Sequence, residues 1–392
     1  MVEYEKIILH NGKEVSPLRH HPWIFSGAIK IKAAQIEDGE LVEIFSASKQ
    51  FLGIGHYQNS SISVRIISFI QTDINDEFWF NKINSAYKYR IDLGILNENT
   101  NCCRLIFGEG DGLPGLIIDY YNGHIVFQAH SIGMHKSREA IVRALQKILG
   151  EKLKCVYDKS ADSVPKNYGE KINNGYLFGE GNRVVVKENN NQFIIDWESG
   201  QKTGFFVDQR DNRALLSKYC KNKKVLNTFS YSGGFSVYAA KAGAALVHSV
   251  DSSEAAIKLC EENAKLNHNE HHESFAMDTF DFLKDKDNFY DVIILDPPAF
   301  AKSREVKHNA VKGYIKLNAL ALRKIKSGGI LFTFSCSGVI DKLLFYNSIT
   351  AAAIEAKRNV KLLHYLYQPA DHPVIPNFQE GEYLKGMVLF VE

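Results

Sequence analysis

No run of eighteen or more apolar residues occurs anywhere in this chain of 392 residues, so nothing in it is built to cross a bilayer as a helix. Net charge is nearly absent as well. Lys and Arg number 47 and Asp and Glu 45, leaving +2, which does not by itself mark a nucleic-acid binder and throws any such role onto local patches. Cysteine is sparse: of six, Cys102 and Cys103 are adjacent while Cys155, Cys220, Cys260 and Cys336 are scattered without C-x-x-C spacing. That excludes a disulfide framework, argues against zinc or any other metal site, and makes most of them small buried apolar residues. The opening Met1-Val-Glu-Tyr-Glu-Lys6 has no apolar signal segment, so a cytoplasmic location and no membrane partner are expected. The G-x-G-x-x-G fingerprint is also missing, which counts against a dinucleotide cofactor. What remains is ordinary soluble composition, 45% hydrophobic and 23% charged, in a chain long enough for two or three domains.

Residues 1 to about 70 read as short strands between turns (Lys6–Leu9, Gly39–Phe45, Phe51–Gly55, Ser63–Ile67), a small β-barrel. Its seven basic and seven acidic residues balance, yet Arg19-His-His-Pro-Trp-Ile-Phe25 groups cationic and aromatic side chains in a mixture suited to phosphates and stacked bases. For Trp23 and Phe25 a place in the barrel core fits the sequence equally well. A second module, 71 to 186, is α+β: a helix from Asp76 to about Leu93, a tight Gly-rich loop around Glu109-Gly-Asp-Gly-Leu-Pro114, a strand from His124 to His130, a helix from Lys136 to Leu149, and strands at Cys155–Tyr157 and Arg183–Val186. Acids in such a turn are usually loop residues, and the loop is given a structural role.

From about 187 to 392 strands and helices alternate, which predicts a parallel sheet with right-handed crossovers. The organising element is Val225 to Asp251: an apolar run, the turn Ser230-Tyr-Ser-Gly-Gly234, a helix, and a second apolar run ending in an acid. Gly233 and Gly234 permit a sharp turn and close approach of a ligand, and Asp251 is placed to accept hydrogen bonds from ribose hydroxyls. Phe229, Tyr231 and Phe235 crowd the place where a dinucleotide's phosphates would lie. An adenosyl group carrying an amino acid, as in S-adenosylmethionine, needs the ribose acid and no phosphate cradle.

Ligands of open parallel sheets lie beyond the carboxyl ends of the strands. Four groups converge there: Asp251 and Asp278 after strands two and three, read as holding ribose and adenine, and Asp296 and Cys336 after strands four and five, read as facing a second substrate. Acids in such places also cap helices, but four together are more than coincidence. In Asp296-Pro297-Pro298 the prolines fix φ and push the loop outward, leaving the carboxylate and nearby carbonyls as acceptors for the amino edge of a planar base. Cys336 divides two chemistries. An exocyclic amine needs no covalent nucleophile, whereas C5 of cytosine becomes nucleophilic only after a thiolate adds at C6; a cysteine ending an apolar strand is also commonly inert. Between Ala301 and Lys326, eight Lys or Arg (Lys302, Arg304, Lys307, Lys312, Lys316, Arg323, Lys324, Lys326) face a single local acid, Glu305, an imbalance that favours RNA or DNA.

With these residues in view the chain resembles the bacterial ribosomal RNA large-subunit methyltransferase I family. The resemblance runs through Leu18–Gly27, Gly110-Asp-Gly-Leu-Pro-Gly115, Gly200-Gln-Lys-Thr-Gly204, Asp208-Gln-Arg210, Asn227–Phe235, Asp296-Pro-Pro298, Phe334-Ser-Cys-Ser-Gly338, Ala370-Asp-His-Pro-Val374 and Tyr383-Leu-Lys-Gly386, in that order. It implies an α/β, Rossmann-like class I methyltransferase domain with a seven-stranded sheet, preceded by a PUA-like barrel and the α+β module. It also implies S-adenosylmethionine as cofactor, 5-methylcytosine in 23S rRNA as product, and Cys336 as attacking thiolate with Asp296 beside it. Gln209 and Arg210 are then placed by the methionine end of the cofactor. Asn227, Phe229, Tyr231, Gly233, Gly234, Asp251, Ser252, Asp278, Thr279 and Asp296 complete the cofactor set. Pro297, Pro298, Lys302, Arg304, Lys307, Lys312, Arg19 and His21 form the RNA set. The partner is 23S rRNA or a large-subunit precursor, with homodimerisation left open. One departure is Ala299, where the family commonly has lysine, and no base for the C5 proton is assigned, although Asp371 and His372 lie in a matching motif. The competing readings are nitrogen methylation of guanine or adenine in RNA, and an inactive RNA-binding assembly factor.

Overall fold

The computed structural model describes residues 4–32, 35–300 and 307–392. They separate into two compact units, one of residues 4–186, 195–207 and 370–381 and one of 187–194, 208–369 and 382–392.

The first unit opens with β1 (Glu5–Leu9), α1 (Val15–Leu18), β2 (Trp23–Phe25), β3 (Ile29–Ile31), β4 (Leu41–Phe45), β5 (Phe51–Tyr57) and β6 (Ile62–Ser68). These strands form one sheet in the order β2-β6-β5-β4-β1-β3, in which β1 and β4 run parallel. Alternate residues of the strands, among them Ile7, Leu9, Val42, Ile44, Val64 and Ile66, close on one apolar core, as a period of two requires. Phe25 stands outside it, 48% exposed, and Trp23 is half-buried. The unit continues with α2 (Asp76–Asp92), β7 (Cys102–Phe107), β8 (Leu116–Tyr121), β9 (His124–Ala129), α3 (Ile132–Lys136), α4 (Arg138–Leu149), β10 (Cys155–Asp158), α5 (Lys166–Gly169) and β11 (Gly175–Gly179). A five-stranded sheet runs β11-β10-β9-β8-β7, and α2 and α4 lay Ile83, Ala86, Ile141 and Leu145 onto Ile106, Ile118 and Phe127. The Gly-rich loop is structural here: Asp111 takes a bidentate pair from Arg90 at 2.5 and 2.8 Å and the Phe107 N–H at 2.6 Å.

Next in the chain, β12 (Val184–Glu188) and β13 (Asn191–Ile195) form a two-stranded ribbon. Its turn residues Asn189 and Asn190 both have positive φ, 49° and 62°, the twist that suits a two-residue hairpin and that asparagine tolerates.

The second unit holds α6 (Arg210–Leu216), β14 (Lys224–Thr228), α7 (Gly234–Lys241), β15 (Leu246–Asp251), α8 (Glu254–Leu266), β16 (His272–Ala276), α9 (Thr279–Leu283), β17 (Val292–Leu295), α10 (Lys307–Lys324), β18 (Gly329–Ser335), α11 (Lys342–Ala356), β19 (Val360–Tyr367) and β20 (Lys385–Val391). Its seven strands are ordered β16-β15-β14-β17-β18-β20-β19. Both faces are covered, which is why these strands are continuously apolar. Leu226, Ile293, Leu295 and Leu331 pack with Tyr314, Leu317 and Phe345 of α10 and α11, and Val225, Val247, Ile294 and Phe332 pack with Leu216, Phe235 and Ala239 of α6 and α7. Five strands are parallel as the alternating pattern predicts. The last strand departs from it. β20 inserts between β18 and β19, antiparallel to both. Only a single 3-10 turn, Gln379–Gly381, and no α-helix separates it from β19, and without an α-helical crossover the returning chain pairs antiparallel.

Candidate active site

Strand order reverses at β14, which pairs with β15 on one side and β17 on the other. The carboxyl edge of the sheet therefore presents, in spatial sequence, Asp278 after β16, Asp251 at the end of β15, the turn after β14, Asp296 after β17 and Cys336 after β18. All four groups singled out in the sequence lie on this one edge.

The turn is tighter than its glycines announce. Phe229 and Tyr231 both adopt positive φ, 54° and 43°, followed by Gly233 at 76°. Left-handed backbone at two aromatic residues is strained, a condition that collects at functional sites. The strain aims the Tyr231 N–H at Asp251 Oδ2, 2.9 Å away, while Asp251 Oδ1 takes the Ser253 N–H at 3.0 Å. Both carboxylate oxygens are thus fixed by backbone donors and keep further lone pairs for a ligand. Ser253, not Ser252, caps α8, and Ser252 is exposed beside it. Asp278 caps α9 through one oxygen, which accepts the Phe280 and Asp281 N–H groups at 2.8 and 3.2 Å; Thr279 is buried behind it. Asn227 is also buried, its amide donating to Ser236 at 2.9 Å under the turn.

Gln209 donates to Asp296 Oδ2 at 3.0 Å and accepts from Asn212 at 2.6 Å, so its amide is held facing the loop after β17. Arg210 is 5% exposed, 3.6 Å from the Asp211 carboxylate. Pro297 is buried and Pro298 exposed. Cys336 is the one thiol of the six that is not buried. Beside it stands Tyr314 of α10, whose hydroxyl accepts from Ser335 at 2.9 Å and whose ring lies 4.7 Å from that of Phe300. Burial pushes the Tyr314 phenol up to about 12, and the charges at Cys336 and Asp296 act in the same direction.

Three features were not legible in the sequence. Lys385, at the start of β20, is only 3% exposed and donates to the Ser337 carbonyl at 2.7 Å. Tyr383 donates to Asp208 at 2.5 Å. Beneath the turn, Arg213 and Glu188 form a buried bidentate pair at 2.8 and 2.7 Å. Burial works against the Arg213 charge, but Glu188 outweighs it and holds the guanidinium above its usual range.

The basic run is corrected by its three-dimensional neighbours. Lys302 and Arg304 lie outside the described residues. Of the others, Lys307 faces Asp341 at 3.7 Å, Arg323 faces Glu355 at 3.3 Å, Lys324 faces Asp287 at 2.8 Å and Lys326 faces Asp291 at 2.9 Å. Lys316 sits over the Phe280 ring, and Lys312 is exposed. A count of acids local in sequence misses partners brought in by other helices and strands. In the first unit Arg19 is exposed, and His21 lies 3.6 Å from Glu380 and edge-on to Trp23. Trp23 in turn donates to Glu109 at 2.8 Å. Asp371 and His372 are buried, Asp371 accepting the Arg104 N–H at 3.1 Å, a scaffold role. Among the described residues no helix is long and apolar enough to cross a membrane, and no cluster of three or more His, Cys, Asp or Glu is disposed to hold a metal.

The doubly wound sheet and its row of end-of-strand groups define the class of S-adenosylmethionine-dependent methyltransferases, and the family model of that description matches residues 104–389. A PUA-like domain model matches residues 7–69. Two solved chains share the fold: a Streptococcus mutans protein assigned as a SAM-dependent methyltransferase (TM-score 0.83, 24% identity, 98% of this chain and 99% of that one), and a methyltransferase complexed with SAH (TM-score 0.84, 24% identity, 98% and 99%). Closer in sequence are proteins named ribosomal RNA large subunit methyltransferase I. That of Aeromonas salmonicida is 39% identical, covering 98% of each chain, and that of Vibrio parahaemolyticus is 40% identical, covering 97% of this chain and 98% of its own. The chain belongs to the ribosomal RNA large subunit methyltransferase I family of S-adenosylmethionine-dependent enzymes.

Proposed function

We propose that this enzyme methylates C5 of a cytosine in large-subunit (23S) ribosomal RNA through a covalent bond between Cys336 and C6. The observation that carries the reading is the position of Cys336. It is the single thiol not sequestered in a core, at the end of the strand next to the one that ends in Asp296, on the edge that also carries the acids suited to adenosine. The names of the relatives supply the RNA class.

The residues present fit S-adenosylmethionine, which when bound supplies an electrophilic methyl group. Asp251 offers a carboxylate already fixed by backbone donors for ribose hydroxyls, Asp278 stands beyond it for the adenine, and Gln209, bonded to Asp296, with Arg210 next to it in the chain, is assigned to the amino-acid end. The turn packs directly on α8, where a Cβ on Gly233 would lie 2.5 Å from Cys260 Sγ.

C5 of cytosine has no lone pair to offer, so the chain must create one. The Cys336 sulfur donates an electron pair to C6, forming an S–C6 bond, and the C5=C6 pair moves toward N3 and makes C5 nucleophilic. N3 takes a proton from solvent as the electron pair reaches it, and Asp296, with Pro297 and Pro298 holding its loop outward, accepts hydrogen bonds from that N3–H and from the amino group; the N3 proton returns to solvent when the product forms. After methylation at C5, loss of the C5 proton restores the C5=C6 bond and expels the thiolate. Lys302, Arg304, Lys307 and Lys312 are assigned to phosphates flanking an extruded base, and Arg19 and His21 of the PUA-like segment to RNA contacts of their own. The test is RNA carrying 5-fluorocytosine at the target, which cannot lose a proton from C5. A complex stable to denaturation should form with the wild type and be absent in Cys336→Ala, together with activity. Near-normal methylation by Cys336→Ala would reject the adduct and leave nitrogen methylation as the chemistry.

A further inference from the structure

We infer that Lys385 is the counter-charge that holds the Cys336 sulfur as a thiolate, a positioning residue for the reaction rather than a part of the scaffold. The inference rests on the reading of Cys336 as the attacking thiol, but its observations are independent of that reading. Lys385 is directly opposite Ser335 in the antiparallel register of β18 and β20, and its ammonium reaches across to the carbonyl of Ser337 at 2.7 Å. The pairing partner and the hydrogen-bond acceptor thus bracket Cys336 in sequence. An ammonium carries three donors, and one bond to a carbonyl does not exhaust it.

A fully buried lysine is costly, since several kcal/mol of desolvation must be offset by a nearby anion. The neighbouring carboxylates are engaged elsewhere, Glu382 by Lys342 and Asp341 by Lys307 at 3.7 Å. From β19 the register partner of Lys385 is Tyr367, and from α10 Tyr314 lies close enough to feel the charges at Cys336 and Asp296; neither tyrosine is a cation. Burial draws Lys385 down to about 8, and among the charges that pull it back up Cys336 comes first, ahead of Glu382 and Asp341. Coulomb interaction is mutual: a sulfur anion that favours the ammonium is favoured by it to the same degree. The thiol proton goes to solvent, and below about 8 the ammonium keeps its own.

The experiment is alkylation of the full-length enzyme with iodoacetamide between pH 5 and 10, read at Cys336 by peptide mass spectrometry, since the five other thiols are buried. The wild-type midpoint should fall at least one pH unit below the roughly 8.5 of a free thiol. In Lys385→Met it should rise above that value, with about a tenfold slower reaction at pH 7, and Lys385→Arg should restore most of the shift. Retained binding of S-adenosylhomocysteine verifies the fold of each variant. A midpoint unchanged by Lys385→Met overturns the inference. If that variant does not fold, the wild type decides alone, since a midpoint at or above about 8.5 overturns it equally. The 5-fluorocytosine trap separates the two proposals. A depressed midpoint without a trapped complex removes the covalent reading and keeps the ion pair, whereas trapping by Lys385→Met with a wild-type pH profile does the reverse.

Discussion

Both carboxylate oxygens of Asp251 are held by backbone N–H groups, from Tyr231 and Ser253. Under the proposed function a ribose hydroxyl would therefore meet a preorganised acceptor, with little rotamer entropy lost on binding. Asp251→Ala should weaken S-adenosylhomocysteine by roughly 1.5–3 kcal/mol, the range of hydrogen bonds to a charged group, measured by titration calorimetry; an unchanged affinity would remove Asp251 from the ribose site. Asp251, Asp278 and Asp296 were legible in the sequence because each ends an apolar run, and strand ends of a parallel sheet share one edge. Lys385 was not, because its meaning depends on β20 pairing antiparallel beside β18, which the alternating pattern does not announce. Nor was the pair of Glu188 and Arg213, whose partners come from a hairpin and a helix twenty-five residues apart. Arg213→Met should cost about 3–5 kcal/mol, because it leaves Glu188 buried with its charge uncompensated, and denaturant titration will measure it.

At the scale of elements, the turn after β14 couples the site to the core of the sheet. Its glycines were visible in sequence, but the left-handed Phe229 and Tyr231 were not, since aromatic residues seldom adopt that conformation and no local pattern signals it. Gly233→Ala sets a Cβ 2.5 Å from Cys260 Sγ at φ +76°, so α8 must move or the turn must open. Either outcome should cost about 1–3 kcal/mol of stability and loosen the Tyr231 contact to Asp251, so that thermal midpoint and cofactor affinity fall together. A loss of stability with full affinity would show the turn to be only structural. Helix α10 gives the opposite lesson. Its cations looked unopposed in sequence, yet Lys307, Arg323 and Lys324, and Lys326 just beyond its end, all face acids from other elements. Exposed pairs of this kind are weak and can be exchanged for phosphate. Under the proposed function, Lys307→Ala with Lys312→Ala should lower the slope of log affinity for RNA against log salt by no more than about 2, close to one per phosphate contact; an unchanged slope places the RNA elsewhere.

For the molecule as a whole, the buried histidines set how it responds to acid. In the first unit His56 is 4% exposed, stacked 6.3 Å from Trp79, with its ring so close to α3 that a Cβ on Gly133 would lie 2.2 Å from it. Burial, reinforced by Arg65, lowers it to about 4; His130 is lowered in the same direction by burial of part of its ring and by Arg104, Arg65 and Lys202, but its side chain reaches solvent, which screens the effect. In the second unit burial also lowers His248 and His272, the same sign as at His56. An unfolded chain takes up the His56 proton near pH 6.5, whereas the native chain refuses it until about 4. Stability is therefore complete above pH 6.5 and falls as the pH descends toward 4. By pH 5, where most carboxylates remain ionised, His56 should have withdrawn about 2 kcal/mol. Urea midpoints at pH 7 and pH 5 will show it, and the decisive quantity is the difference between the two pH values, not the absolute stability. His56→Gln cannot take up a proton in either state, so it should shrink that difference by about 2 kcal/mol even if the substitution itself destabilises the core. An undiminished difference would mean that His56 is already solvated in the native state, and that the packing of Gly133 against its ring does not exclude water.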